Sequence, residues 1–165
     1  MALPGREVLR YVIGAADEAQ VQPAGVDLTV QRVFKFRGAG VVARGLRVPA
    51  EVEELEPEGG VWRLEPGAYK IIYGEAVRVP EDCVGLCFPR STLLRYGAFV
   101  ECAVWDPGYE GRGESLLVVL NPNGLVLERG ARVAQLIFIK TTERISSLYS
   151  GAYRGENMES ALLWR

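Results

Sequence analysis

From Gly25 onward the chain runs in short β-branched or alternating stretches broken by glycine, proline and asparagine. Each strand in such a pattern buries every second side chain and turns back within a few residues, which is what an all-β sandwich or barrel requires. The clearest runs are Val26 to Val30, Val33 to Phe36, Tyr69 to Tyr73, Val84 to Phe88, Ser115 to Leu120 and Ala134 to Ile139. Strong turns are expected at Asn121 to Gly124 (NPNG) and Glu128 to Ala131 (ERGA). Ahead of the strands, GREVLRYVIG places Val8, Leu9, Val12 and Ile13 at helical spacing before a glycine stop, which predicts a short N-terminal helix over about residues 5–13. Glu51 to Gly60 (EVEELEPEGG) carries five glutamates with proline and glycine and is expected as a solvated hairpin tip or loop. Ser146 to Arg165 shows neither strand nor helix periodicity and is expected as an extended, mobile arm that orders on binding. The expected organisation is therefore one β domain over residues 1–145 and an arm over 146–165.

At 165 residues, with 48% hydrophobic and 24% charged residues, the chain fits one compact soluble domain with its own core. Its 19 basic and 21 acidic residues leave a net charge of -2, so no broad electrostatic grip on a nucleic acid polymer or an anionic membrane is expected, and any phosphate recognition must be local. The three cysteines, Cys83, Cys87 and Cys102, form no CxxC pair, which argues against a disulfide framework and a thiolate zinc site. All three lie in apolar runs and are expected as buried, inert thiols. No histidine is present, which removes Ser/His and Cys/His triads, HExxH metalloproteases and histidine-ligated zinc deaminases. Carboxylates remain as acid/base candidates, with a hard, oxygen-liganded ion such as magnesium as the matching metal. The N-terminus lacks a cleavable apolar core, and no stretch reaches the ~20 apolar residues of a membrane span, so a cytoplasmic location is expected.

Three turn-rich segments place polar residues at strand ends, where side chains can converge on a ligand. In Gly25-Val26-Asp27-Leu28, Asp27 is either a ligand-directed carboxylate or a turn residue entering a strand. In Pro89 to Arg95 (PRSTLLR), Ser91 and Thr92 bring hydroxyls and backbone amides, and Arg90 and Arg95 bring charge for phosphate oxygens; a capped helical turn with two surface arginines fits equally. In Trp105 to Gly111 (WDPGYEG), a carboxylate precedes a Pro-Gly turn and an aromatic, a hairpin whose backbone can approach a planar base. Asp106 capping its own turn is the structural alternative.

In order and spacing, these segments resemble the motifs of the trimeric dUTP nucleotidohydrolase and dCTP deaminase superfamily, within it the archaeal single-domain hydrolases. Asp27 in GVDL is similar to the first motif, Arg90-Ser91-Thr92 in PRSTLLRYG to the second, Asp106 to Gly111 in AVWDPGYEG to the third and Gly130 to Leu136 in GARVAQL to the fourth. The likeness spans about Leu3 to Ile139, and the opening LPGREVLRYVIG looks like that of the deaminase branch. The resemblance implies a distorted, jelly-roll-like β-barrel that assembles as a homotrimer with sites between subunits. It implies that Arg90, Ser91, Thr92 and Arg95 bind phosphates, that Gln135 holds the phosphate and water network, and that Asp27 supports a magnesium ion through water. Gly108 to Gly111 would read uracil through backbone groups, and Tyr109 would pack beneath the deoxyribose. Asp106 would orient the water that attacks the α-phosphorus of dUTP, releasing dUMP and pyrophosphate.

Deaminases of this fold carry a proton-shuttling glutamate in the strand after the third motif. Aligned on Asn121, that position here is Val118, which cannot transfer a proton. Glu114 is the nearest carboxylate upstream, in a hairpin longer than that of the deaminases. The expectation is dUTP hydrolysis, with dCTP deamination or a bifunctional enzyme as the alternative. A non-catalytic, nucleotide-binding regulatory barrel is the second alternative. In the terminal arm, Tyr153, Arg154 and Gly155 are expected to close over the site as a lid, or else the tail packs structurally on a neighbouring subunit.

Overall fold

The computed structural model describes residues 1–15, 17–143 and 145–158. The N-terminal helix is shorter than its periodicity predicts. Helix α1 covers Gly5–Leu9, and Val12–Ile13 form strand β1, paired with a later strand at Val77 and Ala76. The β-branched pair gains more from a cross-strand partner than from a further helical turn. A 3-10 turn at Glu18–Gln20 leads through β2 (Val21–Gln22) into β3 (Gly25–Phe36), the longest strand. The two runs expected at Val26 to Val30 and Val33 to Phe36 are thus one strand, bent by a register shift between Val30 and Arg32.

Next come β4 (Val41–Ala43) and β5 (Leu46–Val48), an exposed hairpin, and β6 (Val52–Leu55). Part of the glutamate-rich segment is therefore strand rather than loop. Strand β6 pairs with β3, and Glu53 and Glu54 meet Arg37 and Arg32 across it. Val52 and Leu55 supply the inward-leaning positions, which a count of charges conceals.

Strands β7 (Val61–Leu64), β8 (Gly67–Tyr73), β9 (Ala76–Arg78) and β10 (Cys83–Pro89) follow, then helix α2 (Ser91–Arg95). The series ends with β11 (Ala98–Glu101), β12 (Glu110–Gly111), β13 (Glu114–Val119), β14 (Leu125–Glu128) and β15 (Arg132–Lys140). The main sheet runs β10-β15-β3-β8-β13-β11, with β2 and β6 also on β3. Its two ends meet where Gly85 and Trp105 exchange backbone hydrogen bonds of 2.8 and 2.9 Å, so the sheet curls into a nearly closed barrel. Val26, Leu28, Val30, Ile71, Leu117, Leu136 and Phe138 fill it, each fully shielded from solvent. A small sheet β1-β9-β12 covers one end and carries the third motif.

The arm is folded rather than extended. Residues 145–158 pack in turns against the third-motif hairpin, and the part of the expected arm at 159–165 lies outside the described residues.

Candidate active site

Two clusters emerge at opposite ends of β10. At its C-terminal end, antiparallel pairing sets Asp27 opposite Gln135, and Gln135 opposite Phe88, two residues before Arg90. Asp27 is fully buried. Its Oδ2 lies 3.1 Å from Arg90 Nε and 3.5 Å from Arg132 Nη1, and it accepts from Gln22 Nε2 at 3.2 Å. Burial raises the Asp27 carboxyl above its ordinary range, and the two guanidinium charges partly counter that. Oδ1 of the same carboxylate is the buried side-chain oxygen left without a partner among the described residues.

Gln20 carries the cluster inward. Its Nε2 donates to the Asp27 carbonyl at 2.9 Å and to Glu75 Oε1 at 2.8 Å. Glu75 is buried too and accepts from Thr29 N and Thr29 Oγ1, each at 2.8 Å. On α2, Ser91, Thr92 and Arg95 are exposed, and Arg95 Nη1 donates to Ser91 Oγ at 3.3 Å. This end presents three arginines and two hydroxyls near a shielded carboxylate, a set suited to phosphate oxygens.

The second cluster lies beyond the other end of β10. Asp106 follows Trp105, the residue paired with Gly85, and heads a turn closed by Tyr109 N–H donating to the Asp106 carbonyl at 3.0 Å. Its carboxylate is exposed and makes no hydrogen bond or ion pair among the described residues. It is therefore available to a ligand or a water rather than spent on capping. Asp106 lines a pocket of about 280 Å³ together with Trp105, Tyr109, Glu114, Tyr149, Tyr153 and Glu156. The rings make an aromatic wall of tilted and edge-to-face contacts: Trp105 to Tyr109 is 5.3 Å between centroids, and Tyr109 to Tyr149 is 5.8 Å.

The terminal arm supplies Tyr149, Tyr153 and Glu156 to this pocket. Tyr149 N–H donates to the Pro107 carbonyl at 2.8 Å, Gly155 N–H to Glu110 O at 2.6 Å, and Arg112 N–H to Glu156 O at 3.0 Å. Gly108 and Gly111 allow the approach. A Cβ at Gly108, where φ is +83°, would stand 2.9 Å from Leu148 Cβ, and one at Gly111 3.2 Å from Glu156 N. The structure thus sets the arm against this backbone edge. Tyr153 reaches the pocket, whereas Arg154 points to a separate cleft beside Tyr11, Asp82 and Glu110.

Glu114 lies in the pocket wall, with Oε1 2.9 Å from Lys70 Nζ and 3.3 Å from Asn157 Nδ2. Val118 sits opposite Ala68 and Phe99, away from that wall. Cys83 and Cys87 are buried as expected, but Cys102 is only partly so. A hydrogen bond from Cys87, aided by Ser115 and Tyr73, lowers its thiol from the ordinary cysteine range.

Arg132, Glu156 and Tyr149 were missed as site residues by sequence reasoning. Arg132 lies inside GARVAQL, where its strand register opposite Thr29 was the available signal. Glu156 and Tyr149 lie in a segment without periodicity, and nothing local marks them.

Gathered at strand ends, an arginine-flanked carboxylate and an aromatic, acid-lined pocket mark a β-barrel protein with two polar clusters open to a ligand. The same barrel occurs in the crystal structure of 2'-deoxycytidine 5'-triphosphate deaminase from Agrobacterium tumefaciens, with a TM-score of 0.67 at 23% identity over 85% of this chain and 48% of that one. The sequence pattern of the dCTP deaminase-like family matches residues 5–141, and the chain belongs to that family. It is 45% identical, over 96% of its length and 100% of the relative's, to a probable deoxyuridine 5'-triphosphate nucleotidohydrolase of Aeropyrum pernix. A deoxyuridine 5'-triphosphate nucleotidohydrolase of Methanocaldococcus jannaschii is 37% identical over 84% of this chain and 90% of that protein.

Proposed function

We propose that the chain is a dUTP diphosphatase, converting dUTP to dUMP and pyrophosphate in the cytoplasm as a homotrimer. The unencumbered Asp106 carboxylate in the rim of a nucleoside-sized pocket carries this reading, supported by relatives that bear that activity in their names. Asp106 accepts a hydrogen bond from a water and turns its lone pair toward the α-phosphorus. Positioning of that water is what the carboxylate supplies. Tyr109, Tyr149 and Tyr153 enclose base and sugar and exclude bulk water. Arg90, Ser91, Thr92 and Arg95 bind the phosphate chain, and Gln135 bridges it to the water network.

Magnesium fits the same residues. No group of three or more carboxylate, cysteine or histidine side chains is gathered among the described residues, and an ion held here would take most of its ligands from phosphate oxygens. Asp27, with Oδ1 unpartnered, is the hard-oxygen donor beside them and would anchor the ion's hydration shell. When bound, the ion neutralises charge on the triphosphate.

The phosphate-binding arginines and Asp106 do not meet within one protomer. Gly85, opposite Trp105, and Arg90 are five positions apart on and beyond β10, on the order of 15 Å at the strand rise. A site assembled between subunits brings the two clusters together.

The test is Asp106→Asn. Turnover of dUTP should fall by roughly 10² or more while nucleotide still binds, since size and polarity are kept and only the base is lost; near-normal turnover would give the water to another group. Glu114 in the pocket wall favours a second reading, a bifunctional enzyme that also deaminates dCTP, although Lys70 and Asn157 occupy its Oε1. Ammonia release from dCTP decides between them.

A further inference from the structure

Tyr109 is buried, yet its hydroxyl does not end in the core. It donates to Glu156 Oε1 at 2.7 Å, across 47 residues of chain. Glu156 is held there by backbone rather than by its own side chain: Arg112 N–H donates to its carbonyl at 3.0 Å, and the preceding Gly155 N–H donates to Glu110 O at 2.6 Å. Gly111 leaves room for this crossing, because a Cβ there would stand 3.0 Å from the Tyr109 hydroxyl and 3.1 Å from Glu156 O. Trp105 and Tyr149 flank the same ring at centroid distances of 5.3 and 5.8 Å. The ring is thus fixed along its length by a hydrogen bond and on its sides by aromatic contacts. Glu156 and Tyr109 both line the pocket that holds Asp106.

We propose that Glu156 is a positioning residue for sugar discrimination: by accepting the Tyr109 hydroxyl it fixes the ring against which the sugar packs, and so favours deoxyribose over ribose. The inference rests on the dUTP reading above. A ring that can tilt or withdraw makes space for a 2′-hydroxyl and admits water to satisfy it. A ring pinned at its far end presents a rigid apolar face, where an added hydroxyl finds neither space nor a partner. The discrimination comes from preorganisation, since the order is built before substrate arrives.

The ratio of kcat/KM for dUTP to that for UTP reads this directly, measured for wild type, Glu156→Gln, Glu156→Ala and Tyr109→Phe. Glu156→Ala and Tyr109→Phe should each lower the ratio by about tenfold, chiefly by improving UTP. Glu156→Gln, whose amide oxygen still accepts from the phenol, should retain it. The double variant Glu156→Ala, Tyr109→Phe should be no worse than either single change, because both remove one interaction. An unchanged ratio in Glu156→Ala, or additive losses in the double variant, would overturn the proposal while wild-type dUTP turnover left the functional reading standing. A wild type with no dUTP turnover would remove that reading and this inference with it.

Discussion

Glu75 lies in the corner between β8 and β9, buried, with Thr29 and Gln20 donating to it. Burial raises its carboxyl above the ordinary 4.5, and the hydrogen bonds from Thr29 and Gln20 counter only part of that. The folded protein therefore holds this proton more tightly than the unfolded chain. The resulting contribution to stability is fully present below 4.5 and is lost as pH rises through the raised folded value. Glu75→Gln should remove that slope and cost about 1–2 kcal/mol at neutral pH, because an amide N–H replaces one accepting oxygen among three donors. Denaturant titrations across this range check it; a variant curve parallel to wild type would refute the linkage. Sequence and site relate unevenly at this scale. Asp27 and Asp106 stand out as carboxylates beside apolar runs, whereas Glu75 follows a glycine and looks like any turn residue, and its burial depends on Gln20 and Thr29 arriving from elsewhere.

Among the elements, long β-branched runs were readable and short ones were not. Tyr69 to Tyr73, Val84 to Phe88 and Ala134 to Ile139 announce β8, β10 and β15 by their own composition. Strands β7 and β14, four residues each, exist because Val61–Leu64 and Leu125–Glu128 find one another, a non-local pairing with no local mark. The same holds for β1, whose residues follow the α1 pattern but pair with β9. The terminal arm is the extreme case: its conformation is dictated by the carbonyls of Pro107 and Glu110 and by the amide of Arg112, to which its own backbone groups bond. Truncation after Tyr149 deletes Tyr153 and Glu156 from the pocket wall but leaves the barrel untouched. It should lower dUTP turnover by roughly tenfold or more, read on the fraction that stays in solution. Unchanged turnover would show that the arm is only a cover.

In the whole molecule, the proposed inter-subunit site would make assembly part of the chemistry, since Arg90 and Asp106 are separated along β10. Subunits carrying Asp106→Asn and subunits carrying Arg90→Ala should each be nearly inactive alone. Unfolded and refolded together, they should regain activity, because about a quarter of the sites in randomly mixed trimers combine an intact Asp106 from one subunit with an intact Arg90 from its neighbour. No recovery would place both residues in one subunit's site.

The arm has one more consequence, which concerns solubility rather than chemistry. Strand β12 is two residues long and pairs with β9 on one side; the other side would be bare but for Gly155 and Glu156. A chain shortened at its end would carry unsatisfied amide and carbonyl groups on an exposed strand, a template onto which a neighbouring polypeptide can add. Residues 155–156 occupy that edge and satisfy its amide and carbonyl groups, so no further strand can add there while they are in place.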